Sequence, residues 1–310
     1  MITRKWKLVA CCLLLTGVLV FAACGTYEEE QQRLPDNYRI GTMRISADES
    51  FKPVIDAQVQ VYQSNNPSTK IIVDYKPEAE CLKDMLTDSV RMIIATRKNT
   101  EAEKRKVADS FYTELQSLVI ARDAIAVIVN PQSEDSIFTM TEIKDILTGR
   151  FKKNLIPVFD GVKATSTIRY IIDSVLKGAP LGAKAVAARS SEAVIDYIAK
   201  TPGAIGFIGV SWVGNREDTA QLGFLKKVKI CYLESVYLKE RYVAPIQVNI
   251  ADRNYPMVRD LVYILKENYK GLGHGFADFL SGDIGQLIFK RAYLMPATKD
   301  FILRKAKLRD

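Results

Sequence analysis

Tyr38-Arg-Ile-Gly-Thr-Met-Arg-Ile-Ser-Ala-Asp-Glu-Ser-Phe-Lys-Pro53 reads as a strand, a short loop and the start of a helix. Polar and apolar residues alternate to Ile45, the period of a half-buried strand. Ser46 to Ser50 is polar and short, as a loop requires. From Phe51 to Gln63 the apolar residues are Val54, Ile55, Val59 and Tyr62, a helical stripe, with Pro53 in the first turn, where its missing N–H costs nothing.

The same alternation continues outward. Strands are expected at Ile71–Tyr75, Arg91–Thr96, Leu118–Ile120, Ala124–Val129, Ala204–Ile208 and Lys227–Tyr232. Helices are expected at Glu78–Asp88, Glu101–Asp109, Thr141–Thr148 (closed by Gly149), Thr165–Leu176, Ser191–Lys200, Tyr255–Tyr269, Phe276–Leu280 and Asp283–Tyr293. Strands alternating with helices imply α/β architecture. The chain has 310 residues, 48% hydrophobic and 26% charged, enough for two cored lobes.

The N-terminus has a different character. Arg4, Lys5 and Lys7 precede an apolar run from Leu8 to Ala23, which is shorter than a span of about 20 residues. That is the pattern of a secretory signal. It ends in Phe21-Ala-Ala-Cys24-Gly25, which resembles a bacterial lipobox with Phe21 where leucine is usual. The resemblance implies cleavage after residue 23 and acylation of Cys24; the alternative is a signal anchor in which Cys24 is incidental. Residues 24–37, polar and without apolar period, are expected to form a tether. Gly25 after the cysteine resembles signals for outer-membrane delivery, and Glu28-Glu-Glu30 resembles the acidic export tags of some surface lipoproteins.

The formal charge of +8 becomes +5 once Arg4, Lys5 and Lys7 are removed. This modest excess suits an anionic ligand, and no basic motif argues for nucleic acid. His274 is the only histidine, and no paired-cysteine spacing occurs, so a His-rich or Cys-rich metal site is excluded. Neither a cofactor nor a catalytic residue is expected. Nucleophile elbow, zinc spacing and Walker loop are all missing from the sequence. Asp48 and Glu49 are adjacent and would point apart on a strand, a poor acid–base pair. Cys81 and Cys231 are expected to be buried free thiols.

Five stretches, in order, resemble the phosphate-binding proteins of ABC importers, a family with the type II periplasmic binding-protein fold. They are Ile45–Pro53, Asp123-Ala-Ile-Ala-Val-Ile-Val-Asn-Pro131, Phe138-Thr-Met-Thr-Glu-Ile-Lys-Asp-Ile-Leu-Thr-Gly149, Thr201-Pro-Gly-Ala-Ile-Gly-Phe-Ile-Gly209 and Gly282-Asp-Ile-Gly-Gln-Leu-Ile-Phe289. The resemblance implies two α/β lobes, a Venus-flytrap joined by two crossings, near Val127–Asn130 and Arg241–Val248. Lobe one would comprise 38–128 and 244–310, and lobe two 129–243. It implies a monomer in the bacterial cell envelope, held to a membrane through the Cys24 lipid. The protein would capture inorganic phosphate or a similar oxyanion by closure of the lobes and present it to an ABC permease.

Oxyanions are held by backbone N–H groups at helix starts and by short hydroxyls. Three segments offer them: Ser46, Asp48, Glu49, Ser50 and Phe51; then Thr96 and Arg97; then Thr165, Ser166 and Thr167, where the family carries Ser-Gly-Thr. Arg97 stands where the family has a carboxylate that accepts the ligand's proton, which would favour a dianion or fully ionised ligand unless Asp48 or Glu49 supplies the missing acceptor. The family's arginine before the Ser-Gly-Thr loop has no counterpart in Pro157–Gly161. These departures keep a second function open, a sensing or partner-binding module of the same fold. An enzyme is the third and least supported reading.

Overall fold

The computed structural model describes residues 36–161, 165–215 and 217–297. The signal segment, Cys24 and nearly all of the tether lie outside the described residues.

Strand β1 (Gly41–Asp48) runs into a short 3₁₀ turn (Glu49–Phe51) and helix α1 (Lys52–Asn65). Strand β2 (Thr69–Lys76), helix α2 (Glu78–Asp84), strand β3 (Val90–Ala95) and helix α3 (Glu101–Phe111) repeat the unit. The three strands are parallel, in the order β2-β1-β3. The inner strand β3 is buried on both faces. Met92 and Ile94 pack under α1, whereas Ile93 and Ala95 pack against Cys81, Met85 and Val107 of the α2–α3 side. Near-continuous apolar strands suit a parallel sheet covered by helices on both sides.

Strand β4 (Gln116–Val129) is one continuous strand where the sequence predicts two. The predicted gap is Ala121-Arg122-Asp123, whose charges break the apolar pattern. Asp123 is nevertheless fully buried, because Arg259 meets it inside the protein. A paired charge, not a turn, causes the gap. Strand β5 (Ile137–Phe138), helix α4 (Met140–Thr148), strand β6 (Ile156–Asp160) and helix α5 (Ser166–Tyr170) follow. Gly149 closes α4 in the left-handed region at φ 78°, as predicted. A wider π turn (Ile171–Val175) continues α5. Next come strand β7 (Val186–Ala188), helix α6 (Ser191–Lys200), strand β8 (Ala204–Gly209) and helix α7 (Thr219–Lys227). Short strands β9 (Lys229–Ile230), β10 (Tyr232–Glu234) and β11 (Tyr242–Val243) precede helix α8 (Gln247–Ala251).

The segment 255–269, predicted helical, is corrected by the structure. It holds strand β12 (Val258–Leu265), which lies between β3 and β4 and is antiparallel to both. Its apolar residues fall at helical spacing only because both faces of this central strand are buried, which removes the alternation that marks a half-exposed strand. Helices α9 (Leu272–Ser281) and α10 (Asp283–Arg291) and strand β13 (Met295–Pro296) end the described chain.

Two sheets share β4. Its residues to Ala124 pair with β12, and those from Ile125 pair with β8, in the order β4-β8-β6-β7. Val243, Ile250, Tyr255 and Met257 share one core cluster with Phe138, Ile143 and Phe207 of the second lobe. Cys81 and Cys231 are buried and free.

Candidate functional site

The junction between the lobes is lined by the C-terminal ends of strands, where α/β loops converge. From the first lobe come Asp48 and the 3₁₀ turn, with Glu78 and Thr96 beside them. From the second come Asp160, Ser166, Thr167, Arg169 and Ser191. Asp123 and Arg259 stand on the paired strands β4 and β12.

Arg259 is the centre. Its side chain is 2% exposed; Nε donates to Asp123 Oδ2 at 2.8 Å, and Nη1 donates to the Ser166 hydroxyl at 2.8 Å and the Thr167 hydroxyl at 3.3 Å. The guanidinium lies 4.9 Å over the Phe51 ring. Burial pulls its pKa down, but Asp123 and Asp48 more than offset that and raise it above the ordinary guanidinium value. Gly209 allows the approach: a Cβ there would lie 3.3 Å from Arg259 Nη2 and from the Ser50 carbonyl.

Further contacts tie the lobes together. The Ser50 hydroxyl donates to Asp160 at 2.9 Å, and its carbonyl accepts from Trp212 Nε1 at 2.8 Å and from the Ser211 hydroxyl at 3.3 Å. Glu49 accepts from the Ser191 amide and hydroxyl at 3.4 and 3.3 Å. Arg169 donates to Glu78 at 2.5 Å and to the Thr96 hydroxyl at 2.6 Å, while Thr96 donates to Glu78 through both amide and hydroxyl at 2.7 Å. Burial would raise the Glu78 carboxyl, but Arg169 and Thr96 overcome it and hold it low.

The residues expected to line the site therefore separate. Asp48, Glu49, Ser50, Phe51, Thr96, Ser166 and Thr167 meet at the junction. The Ser50 amide is engaged by Asp48 Oδ1 at 2.9 Å. Thr165 caps α5, accepting from the Ile168 amide at 3.3 Å. Ser46 faces α2, where its hydroxyl donates to Asp84. Arg97 lies apart: both its terminal nitrogens donate to Glu103 at 2.8 Å, which holds that carboxyl down to about 2.

Arg259, Asp123 and Asp160 escape sequence reasoning. A signal was available for the first two, since each belongs to an Arg-Asp pair, Arg122-Asp123 and Arg259-Asp260, set in an otherwise apolar stretch. The helical reading of 255–269 kept Arg259 from being matched with Asp123.

Residues 35–283 match a family described as a PBP superfamily domain. The phosphate-binding protein PstS of Bacillus subtilis (strain 168) is 25% identical over 322 residues, covering 98% of each chain. Among solved structures, an ABC transporter substrate-binding protein from Clostridium perfringens with bound phosphate superposes with TM-score 0.69 at 20% identity, covering 83% of this chain and all of that one. An ABC-type phosphate transport receptor from Vibrio cholerae gives TM-score 0.61 at 18% identity, with 83% and 100% coverage. This chain has the same two-lobed mixed α/β fold.

Proposed function

Because the chain belongs to the PBP superfamily domain family, we propose that it captures an oxyanion, phosphate foremost, between its lobes and delivers it to an ABC importer. The observation that carries this reading is the convergence of a fully buried guanidinium with the hydroxyls of Ser50, Ser166 and Thr167 from both lobes. Ser166 and Thr167 accept from Arg259; Thr167 has its own hydrogen to donate, while that of Ser166 is shared with the Asp48 carboxylate. A charged, planar donor beside neutral hydroxyls suits a tetrahedral anion. The phosphate-binding relatives supply the choice of anion.

Arg259 takes the place of the missing family arginine, reaching the hydroxyl loop from β12. Closure then does the work of capture: Ser50, Trp212, Arg169 and Thr96 make contacts across the junction that the closed form has and an open form lacks. We take the first lobe as residues 36–124 and 258–297 and the second as 125–257, from the change of ladder partners and the shared core. The signal-like N-terminus and Cys24 support an exported, lipid-anchored protein at the cell envelope. The fate of Arg97, given to Glu103, favours the second reading, a sensing module of the same fold.

Calorimetric titration of ligand-stripped protein begun after Cys24, with phosphate and sulfate, tests the proposal. Saturable phosphate binding is expected, weakened about tenfold or more in Ser166→Ala/Thr167→Ala, since each lost hydrogen bond is worth about 1 kcal/mol. Folded protein that binds neither anion would sink it.

A further inference from the structure

The junction carries more acid than base. Asp48, Glu49, Glu78, Asp123 and Asp160 face it, against Arg169 and Arg259. Arg169 is committed to Glu78, and Arg259 to Asp123. Lys52, the nearest cation on the Glu49 side, is engaged by Asp56 at the surface. Asp48, Glu49 and Asp160 have no direct ion pair; Arg259, bonded to Asp123, acts on Asp48 and Asp160 only through its field, which burial and the neighbouring carboxylates outweigh.

Their hydrogen-bond donors are also too few. Ser191 has a single hydroxyl hydrogen, yet both Glu49 at 3.3 Å and Asp160 at 3.1 Å lie within its reach. Ser50 gives its one hydroxyl hydrogen to Asp160 Oδ2. Asp160 Oδ1 and Asp48 Oδ2 are buried with no donor among the described residues. An ionised carboxylate buried with unmet acceptors is costly. Two of them, Asp160 of the second lobe and Asp48 of the first, compound that cost where they meet beside the half-buried Glu49. An oxyanion entering the same junction would add another negative charge.

We propose that ligand capture here is proton-linked: an oxyanion is enclosed between the lobes together with a proton taken up from solvent by the Asp48–Glu49–Asp160 group, with Asp160 as its main seat. The inference deepens the oxyanion reading and rests on it. A protonated Asp160 becomes a hydrogen-bond donor, able to serve Asp48 or the anion, and one carboxyl fewer opposes the ligand. The direction of its titration agrees: burial first, then Asp48 and Glu49, push Asp160 up to about 7. Burial and the neighbouring carboxylates raise Asp48 and Glu49 as well.

The test is calorimetric titration of phosphate into the parent protein and Asp160→Asn near neutral pH, each in two buffers of different ionisation enthalpy. Phosphate's own protons contribute equally to both proteins, so the difference in proton count belongs to Asp160. The parent is expected to take up more protons than the variant. Its affinity should also fall more steeply above about pH 7, with a limit of about tenfold per pH unit for one proton. Asp48→Asn, which removes a charge that the proton offsets, is the second variant and should lower the count too, whether or not Asp160→Asn folds. Phosphate bound with the same proton count in parent and variants overturns the inference and leaves the oxyanion reading standing. No binding of phosphate or sulfate by folded parent between about pH 5 and about pH 8 removes both.

Discussion

Two buried groups of carboxylates, at opposite ends of the first lobe's sheet, are built on different terms. At the end away from the junction, Glu267 accepts from the amides of Gly271, Gly273 and His274, each at 3.1 Å, with Arg91 Nε 3.3 Å away. Asp36 accepts from Arg91 at 2.6 Å and from the Leu272 amide at 2.9 Å. Both acids bind the first turn of α9, whose unpaired N–H groups need acceptors. The close wrap requires glycine at 273, where a Cβ would sit 2.5 Å from Glu267 Oε2. At the junction, by contrast, Asp48 and Asp160 each keep an oxygen without a donor. Acids that hold the fold together are supplied with hydrogen bonds; acids at a binding junction are left short, and the deficit is what a ligand or a proton can fill.

The contrast is most exposed to failure at Glu267. Glu267→Ala would strip acceptors from three amides and leave Arg91 without one of its two acidic partners. A loss of about 3 kcal/mol is expected in denaturant unfolding. Anion affinity of the folded fraction should be unchanged; a large loss of affinity there would erase the distinction between the two groups.

A pH-dependent effect should sharpen the other side. Asp160 has its folded pKa raised from 3.8 to about 7, so the folded protein binds more protons than the unfolded chain between those values. Its contribution to stability is therefore lost as pH rises through that window. Asp160→Asn should be the more stable protein at pH above about 7, with the gap closing toward pH 4, and thermal melts across that range would measure it. A gap that does not change with pH would mean that Asp160 is ionised throughout, like a structural acid.

The smallest effect belongs to Arg97. It is paired with Glu103 at a partly exposed site, so Arg97→Ala should cost under about 1 kcal/mol and leave phosphate affinity alone. A clear loss of affinity in titration would draw Arg97 back into the site.

The sequence by itself determined the alternating α/β architecture, the strand–loop–helix at Tyr38–Pro53 and the hydroxyl cluster at Thr165–Thr167. All of these are local: periodicity, turn chemistry and short polar runs are legible within a dozen residues. It also placed Asp48, Glu49, Ser50 and Thr96 on one short list, without revealing what they would face. Only the tertiary structure decided that residues 258–265 form a central strand, because a strand buried on both faces loses the period that identifies it. With that strand in place, Arg259 reaches Asp123 and the Ser166 hydroxyl. The tertiary structure likewise brought Asp160 of one lobe against Asp48 and Glu49 of the other. Burial and long-range pairing, not residue type, decide whether a charge is a surface ion pair like Arg97 or the centre of a site like Arg259.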